Sequence, residues 1–123
     1  MGVALGTPKR IINNFNVFEV IAPLTLSGSY PGTPGDTLSL AGIDGAPSNS
    51  VPDLVEIYEQ PPAGTSASGL VYRFGYGTTQ ANGQLQVFVT GTGGAGLAQL
   101  GNVTYASVNA ANLVIRAVFA KFI

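Results

Sequence analysis

Apolar residues in this chain recur with period two in short runs, and no stretch sustains the 3.6-residue period of an amphipathic helix. That restricts the fold to β-structure. In "NVFEVIA" (16–22), Val17, Glu19 and Ile21 fall on one side and Phe18, Val20 and Ala22 on the other, as in a strand with one buried face. "TLSLAGI" (37–43) turns Leu38 and Leu40 the same way, and "LVEIYE" (54–59) sets Leu54, Glu56 and Tyr58 against Val55, Ile57 and Glu59. Pro23 is expected to interrupt the first run, with "LTLSGSY" (24–30) resuming as an edge or bent strand.

Between the runs lie turn-forming clusters: "PGTPGD" (31–36), "DGAPSNSVPD" (44–53) and "QPPAGTSASG" (60–69). Asn82-Gly83 marks a hairpin joining "LVYRFGYG" (70–77) to "GQLQVFV" (83–89). "VTYAS" (103–107) reads as a short strand. "NLVIRAVFAKF" (112–122) reads as a long final strand, with Leu113, Ile115, Ala117 and Phe119 facing inward and Arg116 outward to solvent or a partner. Roughly seven or eight strands at this spacing predict an all-β fold, an antiparallel β-sandwich or jelly-roll-like barrel with long Gly/Pro/Ser-rich loops. The 123 residues suit one domain, 16–123. Residues 1–15, broken at Pro8 and without clean alternation, read as an extended N-terminal arm that gains order against a neighbouring subunit.

Composition removes whole classes of chemistry. The chain has neither His nor Cys, so the commonest general base, the commonest metal ligand, thiol nucleophiles and disulfides are missing. No catalytic residue, cofactor or metal is expected. Five Lys and Arg against six Asp and Glu give no basic footprint for nucleic acid or an anionic membrane. Asn13, Asn14, Asn16 and Glu19 break up "IINNFNVFEVIAPL", which therefore reads as neither an export signal nor a membrane span, and synthesis and retention in the cytoplasm are expected. Charged residues make up only 9% of the chain, against about 25% in soluble domains, which favours association.

Three patterns invite a ligand. Gly91, Gly93 and Gly96 have dinucleotide-fingerprint spacing, but "LAQL" leaves no room for the required helix and no acidic residue follows Glu59. A loop is expected there. Asp36, Asp44 and Asp53 lie in Gly/Pro loops without the spacing of a calcium loop, and Glu56 and Glu59 point to opposite faces and cannot act as an acid–base pair. Tyr72, Phe74 and Tyr76 share one strand face, either as core packing or as an aromatic platform for a sugar.

In the second half, "GLVYRFGYGTTQANGQLQVFVTG" (69–91), "LAQLGNVTYAS" (97–107) and "NLVIRAVFAKF" (112–122) follow one another in an order that resembles small structural proteins from the head-gene region of tailed bacteriophages, including capsid decoration or cement proteins. The family pattern has an acidic residue near position 99, where this chain has Gln99. The resemblance implies a virion protein on the capsid surface, made in the host cytoplasm. Its partner would be the major capsid protein, and it would form a small homo-oligomer such as a trimer. Partner contacts are then expected from the arm, at Lys9, Arg10, Ile11, Ile12 and Phe15, and from Arg116. A head–tail or tail component and a carbohydrate-binding sandwich are the alternatives.

Overall fold

The alternating runs become antiparallel strands in the computed structural model, which describes residues 2–43, 45–47, 51–65, 68–90, 96–108 and 110–120. In chain order these are β1 (Gly2–Leu5), β2 (Arg10–Asn13), β3 (Val17–Ser27), β4 (Ser29–Tyr30), β5 (Asp36–Leu38), β6 (Leu54–Glu59), β7 (Val71–Gly75), β8 (Gly83–Thr90), β9 (Leu97–Gln99), β10 (Val103–Thr104) and β11 (Leu113–Ala120). A single 3-10 turn covers Ala106–Val108 among the described residues.

In the first sheet β11 lies between β3 and β6, while β1 and β2 pair in tandem along the other edge of β3. In the second sheet β8 is central, with β7 on one edge and β5 and β9 in tandem on the other. β4 and β10 form a small separate ribbon. β6 runs beside β7 and β1 beside β5, so the two sheets approach each other at both margins and form a sandwich.

The core lies between the sheets and follows the period-two pattern. Phe18, Val20 and Ala22 from β3 and Ile115, Ala117 and Phe119 from β11 have no solvent exposure, and they meet Leu38, Leu85 and Val87 of the second sheet in one apolar cluster. Phe18 and Phe119 are direct cross-strand partners with ring centroids 6.0 Å apart. The expected inner face of the final strand is therefore the observed one. The β7–β8 hairpin also forms as expected. A Cβ on Gly83 would collide with the Phe74 ring, so only glycine lets that ring cross the base of the turn.

The N-terminal segment departs from expectation. Residues 2–13 are not an arm awaiting a neighbour but two strands of the first sheet, in register from Gly2↔Ser27 to Leu5↔Leu24 and from Arg10↔Ile21 to Asn13↔Phe18. Each run is only four residues long, too short for alternation to register, and Val3 is buried by β3 rather than by its own neighbours. Pro23 does not interrupt β3 either. Its carbonyl accepts from the Gly6 N–H at 2.8 Å, so the missing Pro23 donor faces the link between β1 and β2, where the ladder is already broken.

Two outcomes test this arrangement. Phe119→Ala should cost about 3–5 kcal/mol, a large share of the roughly 5–15 kcal/mol typical of a domain, and lower the melting temperature sharply. Deleting residues 1–12 should lower the melting temperature and promote aggregation by baring the β3 edge, as thermal melts and light scattering would show.

Candidate interaction surface

Register places charged and apolar residues together on the outer face of the first sheet. Direct antiparallel partners share a face, so Arg10, Ile21, Arg116 and Glu56 form one row across β2, β3, β11 and β6. Ile12, Glu19, Val118 and Leu54 form the next. Pro23, Val114 and Tyr58 form a third. Leu54 and Tyr58 are 43% and 39% exposed, while Ile12, Ile21 and Val118 are half-buried.

At the centre of this face Arg116 forks onto Glu19. Its Nε lies 2.9 Å from Glu19 Oε2 and its Nη2 3.3 Å from Oε1, across the β3–β11 diagonal. Its Nη1 donates to Glu56 Oε1 at 3.0 Å on the other side. The hydrogen bond from Arg116 holds the Glu19 carboxyl below its usual range. Desolvation opposes this, and the charges of Arg116 and Arg10 add to it. The two carboxylates hold the Arg116 guanidinium above its own ordinary value. Arg116 thus faces outward as expected, but it is engaged by its neighbours in the sheet rather than left to reach for a partner.

The outer face of the second sheet has a different character. Thr37, Gln84, Arg73 and Gln86 lie across it by register. Arg73 Nε donates to Gln86 Oε1 at 3.1 Å, and its guanidinium stacks on Phe88 with 4.8 Å to the ring centroid. Gln86 Nε2 donates to the Pro34 carbonyl at 3.1 Å. Register also puts Val71, Phe88 and Leu97 on this face, with Val71 42% and Leu97 54% exposed, so a polar patch around Arg73 and Gln86 stands beside exposed apolar residues.

The predicted contact residues divide accordingly. β3 brings Arg10, Ile12 and Arg116 onto the apolar face. Lys9 Nζ donates to Gln60 Oε1 at 3.3 Å, linking the β2 and β6 margins near the row where Val114 is only 3% exposed. Ile11 points the other way, 45% exposed, into a cleft of about 420 Å³ lined also by Leu5, Pro8 and Ile43. Phe15 is 79% exposed at the tip of the β2–β3 hairpin, where Asn14 Oδ1 accepts from the N–H groups of Asn16 and Val17 at 2.9 Å each.

The aromatic platform is not built. Tyr72 and Phe74 are 9% and 6% exposed because their face of β7 turns into the core. Tyr76 lies beyond the end of β7, 53% exposed and edge-on to Phe74 at 5.3 Å. Burial pushes the Tyr72 hydroxyl above its ordinary value, the Ser68 hydrogen bond opposes this, and the Glu59 charge reinforces it. Glu59 itself accepts from the Ser68 N–H and hydroxyl at 3.1 and 2.8 Å. The segment after Gly96 is strand β9 rather than a helix, and Gly91 and Gly93 lie outside the described residues. Asp36 accepts from the Tyr105 hydroxyl and Asp53 from the Ala120 N–H, while Asp44 lies outside the described residues.

A buried polar network escaped the sequence reading. The Tyr30 hydroxyl, fully buried, accepts from the Val87 N–H at 3.2 Å and from Gln99 Nε2 at 2.6 Å, while Gln99 Oε1 accepts from Thr33 at 3.3 Å. An amide at position 99 can donate and accept at once, which a carboxylate cannot. Burial, and then the Asp36 carboxylate, push the Tyr105 phenol well above its ordinary range. A depression of about 430 Å³ beside it is lined by Tyr105 itself and by Leu26, Ser27, Gly28, Ala106 and Ala110.

Searches against protein-family models, curated proteins and solved structures give no match to this chain.

The charge cluster makes a pH-dependent prediction. Because Glu19 has a lowered pKa in the folded state, its contribution to stability is full above its ordinary value of 4.5 and is lost as pH falls through the folded value. Glu19→Gln should therefore melt below wild type at pH 7, and the two melting temperatures should converge in acid, where Glu19 protonates beside Arg116, Arg10 and Glu56. Equal melting temperatures at neutral pH would show that the fork adds no stability.

Proposed function

We propose that this chain is a non-enzymatic virion structural protein that decorates a phage capsid and stabilises it by binding between major capsid protein subunits. The observation that carries the reading is the outer face of the first sheet, where the exposed Leu54 and Tyr58 and the half-buried Ile12, Ile21 and Val118 surround an ion-paired centre. Such a face suits protein association. The resemblance of 69–91, 97–107 and 112–122 to head decoration proteins agrees with it, as does a chain with neither His nor Cys.

Cementing acts by mass action. A subunit that binds only the expanded lattice stabilises that lattice over every form it cannot bind. On this reading Ile11 and Phe15, exposed on the β2–β3 hairpin at the margin of the first sheet, add to the surface that meets the capsid. Low charge then costs little, because the protein works inside an assembly.

Purified protein mixed with expanded and unexpanded capsids should co-sediment with the expanded form alone and raise its melting temperature. Ile11→Ser combined with Phe15→Ser should weaken that binding several-fold while leaving a folded protein. Absence of binding to either capsid form would overturn the proposal.

A further inference from the structure

We infer that the outer face of β2, β3, β11 and β6 docks a second copy of this chain, related by a two-fold axis parallel to the strands. The inference concerns the free protein and does not rest on the capsid reading. The margins of this face carry opposite charge, Arg10 on the β2 side and Glu56 on the β6 side, while Lys9 and Asp53 are engaged within the copy by Gln60 and the Ala120 N–H. A two-fold axis lying between two stacked faces and running along the strands exchanges left and right margins. β2 of each copy then lies over β6 of the other.

Register makes the exchange specific. Arg10 and Glu56 belong to the same row, aligned through Ile21 and Arg116, so the operation sets Arg10 of one copy opposite Glu56 of the other, twice. Ile12 and Leu54 share the next row and meet in the same way. Stacked sheets lie about 10 Å apart with strands within about 30°, a gap that Arg and Glu side chains span from the two sides. The central Glu19–Arg116 fork is already paired within each copy, so docking buries no isolated charge there.

The area sets the strength. Four strands about 4.8 Å apart, over the seven β3 residues from Val17 to Pro23, cover roughly 450 Å² in projection on each copy. Two such faces approach the roughly 1,000 Å² at which specific interfaces begin. The dimer is accordingly weak, dissociating in the micromolar range, and it fills as protein accumulates.

Sedimentation equilibrium on the full chain, from about 1 µM to about 1 mM, tests this, with circular dichroism melts confirming that each variant is folded. Wild type should pass from monomer to dimer. Arg10→Glu and Glu56→Arg should each raise the dissociation constant at least about tenfold, because each places like charges opposite one another twice. An equimolar mixture of the two variants should recover near-wild-type association, since each then meets its complement. Leu54→Glu, at a position already 43% exposed, should abolish dimerisation and decides the matter should Glu56→Arg not fold. A wild type monomeric across the range, a folded variant that dimerises as well as wild type, or a mixture no tighter than its components would overturn the inference.

Discussion

The rest of the structure depends on the insertion of β11 between β3 and β6. That one strand carries the inner residues Leu113, Ile115, Ala117 and Phe119 and also supplies Arg116 to the outer face. The groups it joins are far apart in the chain: Arg116 reaches Glu19 across 97 positions and Glu56 across 60. Both β11 ladders therefore need long-range loop closure, unlike the local β2–β3 hairpin of the same sheet. Phe18 against Phe119 and the Glu19–Arg116 fork sit one residue apart on opposite sides of β3, so packing on one face and charge on the other select the same register.

That coupling bears on what the molecule presents outward. A sheet whose outer residues were all apolar would risk slippage and indiscriminate association. Here Arg116, Glu19 and Glu56, with Arg10 at the margin, occupy the centre of a face whose other members are largely apolar, and they fix its register. The outer face of the opposite sheet is mixed, with Arg73, Gln84 and Gln86 at its centre and Val71 and Leu97 exposed beside them.

How far this was legible in the residues varied with the range of the interaction. The β7–β8 hairpin was legible because Asn82-Gly83 and the flanking alternation are local. β1 and β2 were not, because each is four residues long and is held by β3 rather than by its own sequence. The tyrosine-bearing run 70–77 was read correctly as a strand, yet its aromatic face was open to two readings. Burial of Tyr72 and Phe74 depended on the opposing sheet. The Tyr30, Gln99 and Thr33 network gave no sequence signal, since its members lie in three separate segments.

By itself the sequence determined the all-β class, the strand faces, the inward set on the final strand and the absence of His and Cys chemistry. These follow from composition and from a period of two, which are local properties. Only the tertiary structure decided which strands are neighbours. It thereby decided that Arg116 is held between two glutamates, that Arg10 and Glu56 share a row, and that Gly2–Leu5 and Arg10–Asn13 belong to the sheet. The physical reason is that alternation distinguishes the two sides of a strand but carries no information about which distant strand will supply the hydrogen bonds at its edge.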